Sequence, residues 1–246
     1  MNLTYFGNAC FHVEIADLSL LIDPYISENA ECPYELEDVL GTLPPLDVVL
    51  VTHLAADHRG DIVELAREHR IPVITEPGVN ELLTGEGIPP DQVTELLWGI
   101  EARLNGGSIR ALQVAHASTA QIDGKYLSGL PLSFLIRING TTVYHAGDTA
   151  LFSDLKLIGS RFDVDVAMLG VGQAYEEEPS PDGVHRLTRE MTIQEAVQAT
   201  AWIDADVLVP MHCLPEERSA YQTAANDAAA VDSAIHPLDA GESTKL

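Results

Sequence analysis

The fold of this chain is decided by the stretch Val48-Val49-Leu50-Val51-Thr52-His53-Leu54-Ala55-Ala56-Asp57-His58-Arg59-Gly60-Asp61. Four branched apolar residues in a row predict a strand that is buried on both faces. From Asp57 the apolar residues recur at helical spacing, and we expect Asp57 to cap that helix. The stretch has two interpretations: a capped helix beside two surface histidines, or half of a metal site at a strand end.

Strands and helices alternate through the rest of the chain, which predicts an α/β fold with packed sheets and outer helices. Further strands are predicted at 2–6, 10–16, 19–22, 71–75, 93–97, 109–115, 132–138, 141–145, 164–169 and 206–210. Helices are predicted at 76–83, 151–159, 193–203 and near 220–231. We expect one domain over residues 1–246, with a surface loop that contains one helical turn at 26–46, a polar loop at 172–189 and a loose, acidic, Ala-rich C-terminal extension.

Composition predicts a protein of the reducing cytoplasm. No apolar run reaches the roughly 20 residues of a membrane span, and residues 1–14 lack the basic start of a signal peptide. The three cysteines, Cys10, Cys32 and Cys213, have neither an even count nor CxxC spacing, which argues against a disulfide framework.

The charge balance is strongly acidic, with 13 Lys and Arg against 38 Asp and Glu and a net charge of −25. Such self-repulsion destabilises the folded state unless salt screens it. We therefore hypothesise a host with a very salty cytoplasm, such as a halophilic archaeon; the alternative is an ordinary acidic protein. The missing basic patch makes nucleic acid an unfavoured partner, although high salt would weaken that objection. No membrane partner is expected, and a homo-oligomer is left open.

Side chains that bind metals follow several predicted strands at the point where each strand ends. One such histidine is more often structural, but four strand–loop junctions that share this feature favour a metal site. The residues are His53, Asp57, His58, His116, His145, Asp148 and His212.

Four motifs together resemble the metallo-β-lactamase superfamily: Thr52-His53-x-x-x-Asp57-His58, His116-Ala117-Ser118, His145-Ala146-Gly147-Asp148-Thr149 and Pro210-Met211-His212. The resemblance covers residues 1 to about 215 and is closer to small hydrolases related to L-ascorbate-6-phosphate lactonase. It implies a four-layer αβ/βα sandwich with the site at one edge of two sheets.

The resemblance also implies roles for these residues and a zinc cofactor, with manganese or iron as alternatives. His53 and His116 would bind a first ion, Asp57, His58 and His212 a second, and Asp148 would bridge them. Asp57 could also orient an attacking hydroxide.

Two departures from the family pattern bear on the number of ions. Ala55 stands where the motif H-x-H-x-D-H has its second histidine, and Gly7-Asn8-Ala9 replaces the usual Gly-His-Ser. The centre is therefore expected to hold one or two ions, with His185 as a replacement ligand to consider. His145 has two interpretations. It could be functional, either donating a proton to a leaving group or holding Asp148, or it could be a structural histidine that hydrogen-bonds to the backbone. Asp23 is expected to close a loop behind the site.

Three functions follow from this resemblance. The leading one is a hydrolase that uses a metal-activated hydroxide on a small hydrophilic ester, lactone or phosphodiester. The second, motivated by Ala55, is a degenerate protein that binds a ligand or partner without turnover. The third is a nuclease of the same superfamily, disfavoured because the inserted arm or second domain of such nucleases does not fit this spacing.

If the acidic surface is an adaptation to salt, the thermal unfolding midpoint should rise between about 0.1 M and about 2 M KCl, because the Debye length falls to a few ångströms. Calorimetry over a KCl series measures this. Greatest stability at the lowest salt concentration would contradict the hypothesis.

Overall fold

The computed structural model describes residues 1–171 and 191–246, and two short backbone strands between them, Tyr175–Glu176 and Leu187–Thr188. Strands are numbered along the chain. The first sheet has the order β18-β1-β2-β3-β4-β5-β6. Its strands are β1 (Asn2–Tyr5), β2 (Phe11–Ile15), β3 (Leu18–Ile22), β4 (Val48–Val51), β5 (Val73–Thr75), β6 (Val93–Glu95) and β18 (Ser243–Lys245).

The second sheet also has seven strands, in the order β17-β16-β13-β12-β11-β8-β7. They are β7 (Glu101–Leu104), β8 (Gly107–Gln113), β11 (Leu132–Ile138), β12 (Thr141–His145), β13 (Val166–Gly170), β16 (Val207–Met211) and β17 (Ala234–Ile235). A separate hairpin is formed by β9 (Ser118–Ile122) and β10 (Lys125–Gly129), and the two strands at 175–176 and 187–188 are β14 and β15. The helices of the described ranges are α1 (Leu36–Thr42), α2 (Ala56–Arg59), α3 (Ile62–Arg67), α4 (Pro77–Gly85), α5 (Asp154–Arg161), α6 (Ile193–Ile203) and α7 (Pro215–Asp227).

The two sheets pack face to face around one apolar core, to which both contribute fully buried side chains such as Phe11, Leu50 and Phe134. Full burial of each such side chain stabilises the fold by about 1.5–3 kcal/mol. A second cluster joins the outer face of the first sheet to α1, α3 and α4. The layers match the predicted sandwich, with helices outside the sheets.

Strand direction explains why the predicted site residues meet. β12, β13 and β16 are parallel, and β8 has the same direction because it and β12 are both antiparallel to β11. The segments that carry His116, Asp148 and His212 therefore leave this sheet at one edge, as expected for an α/β ligand site.

Several sequence predictions are confirmed and others are wrong. The bounds of β11, β12 and α6 are as predicted, and Thr192 and Glu195 form a capping box on α6. The C-terminal segment is not loose, because β17 extends one sheet and β18 pairs with β1 of the other. The helical turn expected within residues 26–46 is present as α1, which is seven residues long, whereas the β9–β10 hairpin was not predicted. The polar loop expected at 172–189 lies outside the fully described residues.

The predicted cap at Asp57 is wrong, because α2 starts one residue before it. Ala55 occupies the N-cap position without a side-chain hydrogen bond, and Asp57 lies in the first turn. The helix then breaks at Gly60, whose φ is +35°. A Cβ there would lie 2.2 Å from the carbonyl oxygen of Pro24, so close packing against this segment ends α2.

Within the described ranges, no helix is both long and apolar enough to cross a lipid bilayer.

A buried carboxylate ties together the loops that carry the site. Glu76 accepts hydrogen bonds from the backbone N–H groups of Gly78 (2.7 Å), Val79 (3.1 Å) and Leu130 (2.7 Å) and from the Ser118 hydroxyl (2.8 Å). Ser118, two residues after His116, in turn accepts the backbone N–H of Leu54 at 3.0 Å. This network links the His53 loop to the His116 loop.

Replacing this carboxylate by an amide, in Glu76→Gln, should lower the free energy of unfolding by about 1–3 kcal/mol. Each carboxylate oxygen accepts two donors, so either orientation of the amide turns its NH2 group toward donors. Urea unfolding measures the effect, with Glu81→Gln on the exposed side of α4 as the matched control. Equal stability of the two variants would refute this role of Glu76.

Candidate metal centre

The six predicted metal ligands come together in two groups at the sheet edge. The first group is His53, His116 and Asp148, and the second group is Asp57, His58 and His212. Within each group, three potential ligand atoms lie within 4.8 Å of one another. Residues that are up to 159 positions apart in sequence, from His53 to His212, thus form one cluster.

Asp148 lies between the two groups and faces four imidazoles. Its Oδ1 is 3.2 Å from Nε2 of His58. Its Oδ2 is 3.8 Å from Nε2 of His53, 3.7 Å from that of His116 and 3.8 Å from that of His212. A carboxylate in this position can be shared by two cations.

Hydrogen bonds behind the histidines fix the direction of their Nε2 atoms. Nδ1 of His58 donates to Oδ2 of Asp23 at 2.8 Å, because a carboxylate can only accept. The Thr52 hydroxyl also donates to Asp23, so it accepts from Nδ1 of His53 at 3.0 Å. The hydrogen-bond network thus assigns a proton to Nδ1 of both rings and directs their Nε2 atoms at the centre.

Unsatisfied polar atoms in the centre fit a bound cation. Nε2 of His53, Nε2 of His58 and Oδ1 of Asp148 are buried and have no hydrogen-bond partner. Buried polar atoms without partners are costly and uncommon, and a metal ion would satisfy all three. Imidazole and carboxylate are donors suited to zinc, iron or manganese.

The charges in the cluster support the same conclusion. Burial, together with neighbouring His58, lowers the pKa of His53 to about 3, which keeps this imidazole neutral. Burial opposes ionisation of Asp57, but the hydrogen bond from His212 and the charges of His58 and His212 together outweigh it and lower the carboxyl pKa. Burial likewise disfavours a charge on His58, yet the carboxylates of Asp148 and Asp23 raise its pKa to about 10. A cation that binds here replaces that proton.

Asp23 is a functional candidate that sequence analysis assigned only to loop closure. It is fully buried and also accepts the backbone N–H of Thr52 at 2.7 Å. The available signal was its position: it follows β3, which pairs in parallel with β4, so both strands deliver their next residues to the same edge.

The structure favours the backbone-bonded interpretation of His145. The ring is fully buried, its Nε2 lies 3.0 Å from the carbonyl oxygen of Ala9, and its Nδ1 accepts the N–H of Gly147 at 3.2 Å. Both ring nitrogens are therefore engaged by the main chain, and neither is free to transfer a proton to a substrate. His185 lies outside the described residues.

The two groups are unequal, since Ala55 offers no ligand atom. With Asp148, the second group has four potential ligands, whereas the first group has three. Three protein ligands and an open position are typical of catalytic zinc sites, and four are typical of closed sites.

Comparisons with known proteins agree with this chemistry. A family model described as a beta-lactamase superfamily domain matches residues 19–213. A UPF0173 metal-dependent hydrolase of Opitutus terrae is 36% identical over 86% of this chain and 84% of its own length. One of Methanosarcina mazei is 30% identical over 100% of this chain and 99% of its own. The structure of Igni18, a novel metallo hydrolase from the hyperthermophilic archaeon Ignicoccus hospitalis, aligns with a TM-score of 0.81 at 29% identity, covering 99% of this chain and 97% of that chain.

Introducing an imidazole at the gap, in Ala55→His, should raise the number of tightly held ions toward two per chain, because it gives the first group a fourth ligand. Elemental analysis after desalting measures this number. Ala56→His, one position later at the exposed first residue of α2, is the matched control for an added histidine. If Ala55→His binds no more metal than the control, the alignment of this loop with the family motif is wrong.

Proposed function

The chain belongs to the metallo-β-lactamase superfamily and is a metal-dependent hydrolase, and from this premise we propose that it cleaves a small hydrophilic ester, lactone or phosphodiester at the centre around Asp148. The observation that carries the proposal is the set of buried, unpartnered ligand atoms on His53, His58 and Asp148. We propose zinc as the ion, with manganese or iron as alternatives suited to the same donors.

A bound divalent ion would supply Lewis acidity, lowering the pKa of water from 15.7 to about 7 and polarising a carbonyl or phosphoryl oxygen. The chain's part is to hold the ligands rigidly. His53 and His58 are almost fully buried and their rings are fixed from behind by Thr52 and Asp23. They form the inner wall of the centre.

Substrate approaches, in this proposal, from the side where the ligands are exposed. The side chain of Asp57 is 42% exposed, that of His116 is 26% exposed and that of His212 is 18% exposed. Asp57 combines this exposure with a lowered carboxyl pKa, so it is an anionic acceptor on the open side. We assign it the role of orienting the attacking water, in addition to binding the second ion.

The proposed setting is a salty cytoplasm, and the proposed partner is a small molecule. The charge of −25 disfavours binding to nucleic acid or to other polyanions. The closer relation to L-ascorbate-6-phosphate lactonase stays a prediction, as does a homo-oligomeric state.

A second candidate function is binding without turnover, and Ala55 is the observation that favours it. With three potential ligands, the first group binds an ion less tightly than a complete set, and hydrolysis that requires both ions would then fail.

Metal binding and hydrolysis by the protein purified in high salt test the proposal. After loading with zinc, manganese or iron, the protein should hold at least one ion and hydrolyse one or more members of a lactone, ester and phosphodiester panel. Asp57→Ala and His212→Ala should each abolish hydrolysis and release metal, because each removes a ligand of the second group.

His69→Ala is the control for surface binding, since His69 forms an exposed metal-capable cluster with Glu37 and Glu64. It should keep the metal content and activity of the unsubstituted protein. Less than about half an equivalent of metal, with no turnover under any ion, would overturn the hydrolase and support the binding protein.

A further inference from the structure

Asn8 occupies a tight turn that brings it to the metal centre. It lies with Gly7 between β1 and β2, and both residues have left-handed backbones, with φ of 95° at Gly7 and 54° at Asn8. Asparagine adopts this conformation more readily than most residues. The turn therefore accommodates asparagine without strain, and the side chain of Asn8 is available to contact the metal centre.

The side chain of Asn8 holds Asp57 in two places. Its Nδ2 donates to the backbone carbonyl oxygen of Asp57 at 2.7 Å and lies 3.3 Å from the carboxylate Oδ2. The same Oδ2 is 3.2 Å from Nε2 of His212. One amide thus fixes both the position of α2 at Asp57 and the orientation of the carboxylate.

The backbone of Asn8 holds His212. Its carbonyl oxygen accepts the N–H of His212 at 2.8 Å and the hydroxyl of fully buried Tyr5 at 2.9 Å. His212 itself has a left-handed φ of 51°, a conformation that its surroundings must maintain. Asn8 is thereby bonded to two ligands of the second group that lie 155 residues apart.

We propose that Asn8 is a positioning residue that sets Asp57 and His212 in place for the second ion. It acts through its Nδ2 donor and its carbonyl oxygen. This inference rests on the proposed metal centre and adds a residue outside the six candidate ligands. Hydrogen-bond partners of metal ligands typically contribute one to two orders of magnitude in metal affinity.

Asn8→Asp tests the side-chain contact with little change of shape. Aspartate tolerates the left-handed turn, but it removes the N–H donor and places a carboxylate against that of Asp57. Affinity for the second ion should fall roughly 10- to 100-fold. Competition between the full-length protein and a chelator for Co²⁺, followed through the visible Co²⁺ spectrum, measures this without any substrate.

Three further variants make the test specific. Asn139→Asp, the same substitution at another left-handed turn (φ 49°), should leave Co²⁺ affinity unchanged. Asn8→Gly keeps the turn and the carbonyl oxygen while removing the amide, and it should lose similar affinity. Asn8→His should recover most of the loss, because a ring N–H can again donate to Asp57.

A double-substitution cycle assigns the effect to one ion. In an Asp57→Ala background, which no longer holds the second ion, Asn8→Asp should cause no further loss of bound Co²⁺, because the ligand that Asn8 positions is already gone. In a His116→Ala background, the loss of Co²⁺ affinity caused by Asn8→Asp should be unchanged.

Equal Co²⁺ affinity of Asn8→Asp, Asn8→Gly and the unsubstituted protein would overturn the inference alone. Tight Co²⁺ binding without hydrolysis would overturn the proposed activity and leave the role of Asn8 intact, and absence of Co²⁺ binding would overturn both.

Discussion

The arrangement of the centre depends on one carboxylate placed among four imidazoles. Asp148 is 5% exposed, and no hydrogen bond reaches its Oδ1. Burying a charge is costly unless opposite charge compensates it. His212 and His58 supply part of that compensation, and this explains why the carboxyl pKa of Asp148 is lowered despite burial. The remaining compensation is the role that a divalent cation fills, so the folded chain already contains the electrostatic reason to bind one.

The metal centre is held rigid by buried hydrogen bonds on the side of the histidine rings that faces away from the centre. Asp23 accepts three hydrogen bonds, from His58 and from the backbone and hydroxyl of Thr52, while Glu76 joins the loops that carry the histidines. Both carboxylates are fully buried. Ligand directions are therefore set by packed strands rather than by exposed loops, and preorganised ligands lose little entropy when an ion binds.

Sequence analysis identified the candidate ligands because their signal lies within a short stretch of sequence. It missed the residues that hydrogen-bond to them because those contacts join distant parts of the chain. A buried strand followed by His53 or His116 can be recognised within ten residues. The contact between Asn8 and Asp57 spans 49 positions and requires the folded sheets. The cap predicted at Asp57 failed because α2 begins at Ala56, with Ala55 at the N-cap position and Asp57 inside the first turn. β17 and β18 are two and three residues long, which is too short to show the alternation of apolar and polar residues that predicts a strand.

Alanine at position 55 has opposite consequences for the affinity of the first group for an ion and for the ability of that ion to activate a substrate. An ion in the second group would face the carboxylates of Asp57 and Asp148, which together balance a divalent charge. An ion in the first group would share Asp148 and otherwise be held only by the imidazoles of His53 and His116, without a second carboxylate, so less of its positive charge would be balanced. Such an ion would be held less tightly, and with less of its charge balanced it would polarise a substrate oxygen more strongly. Loss of the histidine therefore weakens retention of the first ion without removing the features that hydrolysis requires.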